Sequence, residues 1–397
     1  MIKKISFNFV SLIAKSLLSL FLFKIITEST SPSGYAPYGA SLVFIGLMTT
    51  IGSIGLGPAL VRAETINRNK INTFICSSLL LGLVLSVLLY ISSALIENIL
   101  DIPNSKLYLQ LVSPIIVIKL VSMIYEAMSQ RDLKIIEITK IDFMVFLFFH
   151  FLCQVIVLKL NLDLIWLVVC IILEEGVRLF CYKKLVGVSF SFTLDFNEMK
   201  KDIAFSSVLT INRIINYFNS QLDKIYVSNQ LNPMDFAGYS RIFQLINYPV
   251  NIIGQLFDKV LYPIICKQVR SSTKRLNITS FIIVFLLGLI GTIFCYMLGD
   301  LVEEYFLNGT WGEYMNLYYI LIILIPIRLV DRYSSICLNA IGKPLVRTVS
   351  QVLFIASLII GLSISKGDLE IIASISIISY GVSALSSTLY LVFKNEK

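Results

Sequence analysis

Long apolar segments that recur along the whole chain constrain this sequence more than any other feature. Each segment holds about twenty predominantly apolar residues, the length that an α-helix needs to cross the hydrocarbon core of a bilayer. The twelve segments run over residues 5–27, 38–61, 73–96, 108–128, 142–158, 163–182, 203–226, 236–263, 276–298, 314–337, 345–363 and 370–393. The sequence therefore predicts an all-α polytopic membrane protein with about twelve transmembrane helices, and its first segment is too long for a cleaved signal peptide.

Composition agrees with a membrane protein. Of the 397 residues, 56% are hydrophobic and only 15% are charged, whereas about a quarter of a soluble domain is charged. The seven cysteines are scattered through apolar segments without a CxxC pair, so they indicate small core residues and no metal site. A single histidine, His150, excludes a histidine-rich metal site, and we expect it to be a packed or interfacial side chain.

The loops between the segments differ strongly in positive charge. If the N-terminus is cytoplasmic, twenty lysines and arginines fall on the cytoplasmic side and only Lys106, Lys159 and Lys366 on the other. Cytoplasmic loops carry the excess of lysine and arginine in membrane proteins. We therefore predict that both termini are cytoplasmic. Because this topology accounts for most of the net charge of +8, nucleic acid is not an expected partner.

The longest internal loop divides the chain into two similar halves. It covers residues 183–202, which we interpret as a cytoplasmic linker between a six-helix lobe over 1–182 and another over 203–397. An even number of helices in each half means that both halves enter the membrane in the same sense. Parallel repeats of this kind occur in transporters.

Charged residues inside the apolar segments are the main functional signal. Charges within a bilayer are costly and face a cavity or a partner. Ten basic residues lie inside the segments and are not assigned to a loop, and six acidic residues of the segments stand against them; Arg347, at the start of the eleventh segment, is counted with the twenty cytoplasmic residues. The basic residues are Lys15, Lys24, Lys119, Arg178, Arg213, Lys224, Arg241, Lys259, Arg328 and Arg332, and the acidic ones are Glu126, Glu174, Glu175, Asp223, Asp258 and Asp331.

Two interpretations of these charges remain open. Some of them can pair and hold helices together, as in Glu174/Arg178, Asp223/Lys224 and Asp331/Arg332. The excess of cations instead favours an anionic ligand such as a pyrophosphate, because arginine presents a planar fork to phosphate oxygens. We predict a cationic substrate cavity lined by Lys15, Lys119, Arg178, Arg213, Lys224, Arg241, Arg328 and Arg332.

Helical spacing supports a polar face on several segments. Arg213, Tyr217, Ser220 and Lys224 share one face of the seventh segment at about 100° per residue. Pro249 is a candidate hinge in the eighth segment, since proline removes a backbone hydrogen bond.

No enzyme or cofactor signature is present, although carboxylates could couple transport to an ion. With one histidine there is little scope for a Ser-His-Asp triad, and no GxxxxGK[ST] loop occurs. We therefore expect a transporter with no catalytic residues and no bound cofactor. The candidates for proton or sodium coupling are Glu126, Glu174, Asp223 and Asp331.

Three short motifs resemble a known transporter family. The first is Leu222-Asp223, followed by Gly238-Tyr239, Pro249 and Leu261-Tyr262-Pro263. The second is Tyr38-Gly39 with the glycine-rich stretch IGLGPALVR over 54–62, and the third is NAIGKP over 339–344. These are similar to the polysaccharide-transporter family of the multidrug/oligosaccharidyl-lipid/polysaccharide (MOP) flippase superfamily, whose fold resembles that of multidrug and toxic compound extrusion (MATE) transporters.

The resemblance implies a flippase in the bacterial cytoplasmic (inner) membrane. Its substrate would be an undecaprenyl-pyrophosphate-linked oligosaccharide repeat unit of O-antigen or capsule. The glycan would cross through the cationic cavity while two lobes alternate between inward-open and outward-open states. Polysaccharide polymerase and ligase would be its partners. Twelve helices argue against the lipid II flippase branch, which normally carries two more.

Two alternatives remain. A multidrug or cation antiporter of the same superfamily is the first, although a cationic cavity repels organic cations. A polysaccharide polymerase or ligase is the second, and such enzymes usually have a large periplasmic loop. The largest candidate loop here, 299–313, is small for that purpose.

Overall fold

A computed structural model describes most of the chain. The described residues are 2–53, 56–62, 66–188, 191–257, 261, 265, 278–307, 309–341, 343–365 and 367–394. Side chains are described for these residues except 2–6, 58–59, 62, 196–209, 212, 256, 278, 344 and 394. Asp258, Lys259 and the Tyr262-Pro263 motif lie outside the described residues, as does the Ile54-Gly55 pair of the glycine-rich stretch.

The described residues form helices joined by short connections, with no β-strand among them. We number sixteen α-helices in chain order. They are α1 (Ile2–Ser29), α2 (Pro32–Gly52), α3 (Leu56–Arg62), α4 (Arg68–Leu100), α5 (Ser105–Arg131), α6 (Ile135–Val145), α7 (Cys153–Lys159), α8 (Ile165–Val186), α9 (Phe196–Gln230), α10 (Pro233–Leu256), α11 (Ile278–Met297), α12 (Gly299–Phe306), α13 (Met315–Leu321), α14 (Leu324–Ala340), α15 (Pro344–Leu362) and α16 (Leu369–Lys394). A π-helix (Phe146–Leu152) joins α6 to α7, and a 3₁₀-helix (Gly309–Tyr314) precedes α13.

Helices occupy most of the described residues in each of the twelve predicted segments, so the predicted all-α polytopic fold is confirmed. Seven helical stretches in the described part of the chain are long and apolar enough to cross a membrane. Within the part of the chain that the structure describes, the second, fifth and tenth segments are not single α-helices. The second divides into α2 and α3, the fifth contains the π-helix, and the tenth divides into α13 and α14.

Local sequence signals set several helix starts. The Ser31 side chain accepts a hydrogen bond from the Gly34 amide at 3.3 Å, and the Asn67 side chain accepts one from the Lys70 amide at 2.7 Å. Asn232 caps α10 in the same way. Such caps satisfy amide groups that have no partner within the helix. Proline follows the cap at the first position of α2 and α10, where its missing N–H costs nothing.

The non-helical connection between α8 and α9 is shorter than the predicted linker over 183–202. Helix α8 continues to Val186 and ends at Gly187, which adopts a left-handed conformation with φ of 70°. Helix α9 begins at Phe196. The chain forms two compact units, unit 1 (Met1–Tyr217) and unit 2 (Phe218–Lys397), and the division lies within α9. The division into two six-helix lobes stays a prediction.

Helix α5 is the centre of unit 1. It packs against α2, α3, α4 and α8. A Cβ atom on Gly82 of α4 would lie 2.9 Å from the Val117 backbone of α5, so glycine permits this close approach. Small residues allow such contacts between membrane helices. One end of α5 joins a buried apolar cluster that includes Phe74, Tyr125 and Tyr182.

Helix α14 has the corresponding position in unit 2, where it packs against α10, α11, α15 and α16. Gly288 of α11 lies directly against the backbone of Pro326 in α14, closer than any side chain would allow. The glycine therefore sets the distance between these two helices.

Candidate functional site

A cavity of about 330 Å³ lies within unit 1, and most of its lining residues carry polar groups. Three elements line it: the end of α2, the middle of α5 and one face of α9. The lining residues are Thr49, Thr50, Ser53, Lys119, Met123, Arg213, Asn216 and Tyr217. This lining contains two cations, four hydroxyl groups and one amide, and no carboxylate. It is at the lower end of the size range of small-molecule sites.

Helix α9 contributes one face to this cavity through two docking contacts on α2. The Arg213 guanidinium donates a hydrogen bond to the Ser53 hydroxyl at 3.1 Å. One turn later, the Tyr217 hydroxyl donates to the backbone carbonyl of Val43. A Cβ atom on Gly46 would lie 2.8 Å from the Tyr217 hydroxyl oxygen, so a larger residue here would displace the Tyr217 ring. The structure thus brings Arg213 and Tyr217 of the predicted polar face to one cavity.

The two cavity cations differ in how they are neutralised. The Lys119 ammonium lies 3.8 Å from the Glu175 carboxylate, and 40% of its side chain is exposed. Arg213 has a neutral hydroxyl partner, and within the described residues no carboxylate lies within ion-pair distance of it. The cavity therefore retains positive charge and free donors on Arg213.

Arg178 is the centre of a buried ion-pair network beside Lys119. Its guanidinium lies 2.5 Å from Glu174 and 2.7 Å from Glu175, and 3.5 Å from Asp142. The predicted Glu174/Arg178 pair is therefore confirmed. Because three carboxylates surround Arg178, its donors are largely occupied by the protein itself.

The other unit 1 candidates lie around this network without joining an ion pair in the described part of the chain. The Lys15 ammonium lies 5.7 Å from the centroid of the Phe146 ring, within cation–π distance. The Glu126 carboxylate accepts a hydrogen bond from the Gln130 amide at 2.8 Å.

The single histidine also belongs to the network. His150 lies on the π-helix, and its Nδ1 is 2.9 Å from the Glu174 carboxylate. Its ring stacks on Phe146 with a centroid distance of 4.9 Å. π-Helical insertions are frequent at functional sites. The expectation of a simple packed side chain omitted this hydrogen bond.

Unit 2 places two candidate cations on one aromatic side chain. The Lys224 ammonium lies 4.8 Å from the Phe243 centroid, and the Arg328 guanidinium lies 5.5 Å from it. Arg328 also lies 4.9 Å from the Tyr380 centroid, and its buried Nη1 has no hydrogen-bond partner among the described residues. Arg241 is nearly fully buried and faces the Trp311 ring.

The Asp223 carboxylate accepts hydrogen bonds from several groups, and the expected partner, the Lys224 ammonium, is not one of them. Its carboxylate accepts hydrogen bonds from the Tyr239 hydroxyl at 2.7 Å and the Ser376 hydroxyl at 3.4 Å. The backbone amide of Lys224 donates to it at 2.8 Å, whereas the Lys224 ammonium donates to Gln221 at 3.1 Å. Buried carboxylates require partners of this kind.

Asp331 pairs with Arg347 and not with Arg332, the partner expected from the sequence. The two guanidinium nitrogens of Arg347 lie 2.6 and 2.7 Å from the two Asp331 oxygens. The Arg347 side chain, near the start of α15, is only 15% exposed. The expected partner, Arg332, instead has its side chain against Gly254 of α10. Pro249, the predicted hinge, lies inside α10.

Sequence reasoning missed several of these groups. Asp142 begins the fifth apolar segment, so its position resembled an interface, and Arg347 lies near the start of the eleventh. The cavity hydroxyls of Thr49, Thr50 and Ser53 are common residues that carry no charge signal. Their spacing at the end of α2, next to the glycine-rich stretch, is the signal that could have indicated them.

The described residues contain no group of three or more His, Cys, Asp or Glu side chains that could hold a metal ion. The six cysteines among them are free thiols: Cys76, Cys153, Cys170, Cys181, Cys295 and Cys337.

The fold is similar to that of solved transporters of the MOP superfamily. An inward-facing multidrug resistance MATE family transporter of the MOP superfamily superposes with a TM-score of 0.71 at 14% identity, covering 96% of this chain and 94% of that one. The lipid II flippase MurJ in an inward closed conformation gives a TM-score of 0.72 at 14% identity, covering 98% and 87%. At this identity the likeness defines the fold alone.

The family follows from the sequence match. Residues 30–316 match the polysaccharide biosynthesis protein family, and the chain belongs to that family. Lipopolysaccharide biosynthesis protein WzxC of Escherichia coli (strain K12) is 24% identical over 281 residues, which cover 70% of this chain and 56% of that protein. The chain spans about half the length of the curated relatives it matches. It is thus a multi-pass membrane protein of a polysaccharide biosynthesis family.

Proposed function

We propose that the chain is a flippase that moves a lipid-linked oligosaccharide across the bacterial cytoplasmic membrane. The substrate class is an undecaprenyl-pyrophosphate-linked repeat unit of O-antigen or capsule. Family membership supports a role in polysaccharide assembly, and the MOP fold supports alternating access between two lobes. Both termini would be cytoplasmic.

The observation that carries the proposal is the cavity in unit 1. Its lining combines Lys119 and Arg213 with hydroxyl donors and no carboxylate. Charge-assisted hydrogen bonds to phosphate oxygens are about twice as strong as neutral ones. A volume of about 330 Å³ suits a pyrophosphate head group. Such a site would hold the head group while the lipid tail stays in the bilayer.

The charge of this cavity also favours an anionic substrate over an organic cation. A multidrug antiporter would place its cationic substrate beside Lys119 and Arg213, where like charges repel. Coupling to a proton or sodium gradient belongs to the same proposal, with Glu126, Glu174 and Asp223 as candidates. Polysaccharide polymerase and ligase would act on the delivered repeat unit.

Transport by cavity variants tests the proposal. Purified protein in liposomes would be given a polyprenyl-pyrophosphate oligosaccharide, and its appearance in the opposite leaflet would be measured. We expect Arg213→Gln to lower the initial rate by about tenfold or more, since a charged hydrogen bond contributes about 1.5–3 kcal/mol. Arg213→Lys should recover part of the rate, because lysine restores the charge without the fork.

A matched control is Lys183→Gln on the exposed end of α8. This variant removes a positive charge that is not part of the cavity lining, so it should transport at the wild-type rate. Equal transport by Arg213→Gln and wild type, at equal protein levels, would contradict the cavity assignment. Transport of organic cations with no movement of the lipid-linked glycan would favour the antiporter.

A further inference from the structure

Unit 2 contains a group of cations of its own, held on aromatic rings. The Lys224 ammonium of α9 and the Arg328 guanidinium of α14 lie 4.8 and 5.5 Å from the centroid of the Phe243 ring of α10. The Tyr380 ring of α16 lies 4.9 Å from the same guanidinium. We call Lys224, Phe243, Arg328 and Tyr380 the Phe243 cluster. Both cations are partly exposed, so a ligand can reach them.

The Phe243 cluster carries more positive charge than negative charge. The carboxylate near it, Asp223, accepts hydrogen bonds from the Tyr239 and Ser376 hydroxyls. The Lys224 ammonium donates to the neutral Gln221 side chain. Among the described residues, neither cation of the cluster lies within ion-pair distance of a carboxylate. Two cations on one ring repel each other, so a bound anion would lower the electrostatic energy of the cluster.

Buried polar atoms around the cluster lack hydrogen-bond partners among the described residues. Arg328 Nη1 is such a donor, and Asn219 Oδ1 and Asn247 Oδ1 are such acceptors. Asn219 is next to the cluster, because its backbone carbonyl accepts a hydrogen bond from the Tyr380 hydroxyl at 3.1 Å. Asn247 follows Phe243 by one turn on the same face of α10. Since buried polar groups require partners, a ligand that fits here provides both an acceptor and donors.

We propose that the Phe243 cluster is a glycan subsite that binds the carboxylate of an acidic sugar. This inference rests on the proposed function and specifies its substrate, whose repeat unit would contain a uronic acid or another sugar acid. The carboxylate would accept hydrogen bonds from Arg328 and Lys224. The sugar hydroxyls would donate to the amide oxygens of Asn219 and Asn247. A phosphate group provides acceptor oxygens and would leave both amide oxygens without a donor.

The aromatic neighbours of Arg328 also favour a carboxylate. The guanidinium lies within cation–π distance of both the Phe243 and Tyr380 rings. Tyr380 is itself held in place, because its ring contacts Phe354 at a centroid distance of 4.5 Å and its hydroxyl donates to Asn219. A guanidinium that is held by rings presents its planar edge to a ligand. A planar carboxylate matches that edge with two parallel hydrogen bonds.

Binding of two matched probes tests the subsite. Both probes are polyprenyl-pyrophosphate-linked disaccharides, and they differ only in whether the terminal sugar is glucuronic acid or glucose. The full-length protein in nanodiscs of neutral lipid would be titrated with each probe, and the readout is the ratio of the two dissociation constants. We expect wild type to bind the acidic probe about tenfold more tightly, the effect of one hydrogen bond between charged groups. Partial loss of folded protein affects both probes alike and leaves this ratio unchanged.

Variants in each unit separate the acidic sugar from the pyrophosphate group. Arg328→Gln and Lys224→Gln should each bring the ratio toward one, because each removes a cation that faces the carboxylate. Arg213→Gln should weaken both probes equally and keep the ratio, since the two probes share the pyrophosphate group. Lys343→Gln, an exposed lysine before α15, is the matched control in unit 2 and should keep both affinities.

The outcomes distinguish this inference from the proposed function. A preference for the acidic probe that is lost in Arg328→Gln and Lys224→Gln but kept in Lys343→Gln supports the subsite. Equal affinities in wild type overturn the acidic-sugar assignment and leave the flippase proposal standing. A preference that persists in both cluster variants, or an equal loss of both probes in Arg328→Gln, overturns the placement of the carboxylate at the Phe243 cluster. Failure of both probes to bind wild type overturns the proposed function together with this inference.

Discussion

The Asp331–Arg347 ion pair gives the sharpest prediction about the stability of unit 2. The substitution Asp331→Asn would remove the carboxylate partner of the Arg347 guanidinium, which is mostly buried. The pair is bidentate, with distances of 2.6 and 2.7 Å, and the Ser383 hydroxyl donates to Asp331 at 2.8 Å. Breaking a buried pair on one side destabilises by about 3–5 kcal/mol.

The double variant Asp331→Asn/Arg347→Gln should recover most of this loss. Both charges are removed, and the two amides can hydrogen-bond to each other and to Ser383. Thermal unfolding in detergent would be measured for the two single variants and the double variant. At about 2–4 °C per kcal/mol, each single variant should melt about 6–20 °C below wild type. Coupling between the two sites should exceed about 1 kcal/mol.

The same set of single and double variants tests the role of Asp331 in transport. Because both carboxylate oxygens are occupied by Arg347 and Ser383, we expect the folded double variant to retain transport. Additive melting temperatures would refute the ion pair. A stable double variant with no transport would instead support the earlier candidate role of Asp331 in ion coupling.

Two further predictions concern helix packing. Gly288→Ala should destabilise the folded protein by about 1–3 kcal/mol, because the added Cβ would overlap the Pro326 backbone. The control Gly291→Ala, on the same helix, places its Cβ at an ordinary contact distance of 3.6 Å from Ile325. It should melt at or above the wild-type temperature. Equal melting temperatures for the two variants would contradict the close approach of α11 and α14. Pro249→Ala should fold normally, because α10 gains a backbone hydrogen bond, and should slow transport if Pro249 is a hinge; an unchanged rate would remove that role.

Helix positions were predictable because each spanning helix must be apolar over its whole length. The breaks within segments were not, since apolar residues continue across them. Helix α13 ends at Leu321 and α14 begins at Leu324 within an unbroken apolar run. The sequence gives no sign of the π-helix either, because its residues are about as apolar as those of the α-helices beside it.

Charge partners were predictable only where helical geometry allowed the pair. Glu174 and Arg178 are four residues apart and face each other on one helix, as the structure shows. Asp331 and Arg332 are adjacent, so their side chains point in directions about 100° apart. The true partner, Arg347, comes from the next helix in the chain. Partners on different helices require the packing of the chain, which a single sequence does not provide.

The residues of the cavity, too, were predictable only in part. Its two cations carry a charge signal within apolar segments, and both were candidates. Their convergence depends on how α2, α5 and α9 pack together, where the Tyr217 ring lies against Gly46. The neutral hydroxyls that complete the site have no signal of their own.

The central claim is that this chain moves a lipid-linked oligosaccharide between leaflets. The most direct test is to delete its gene and measure surface polysaccharide together with the leaflet in which lipid-linked repeat units accumulate. The account predicts loss of the polymer, with complete repeat units held in the inner leaflet and restored by wild type but not by Arg213→Gln. Accumulation in the outer leaflet would indicate a defect in polymerisation, and unchanged polysaccharide would contradict the flippase function.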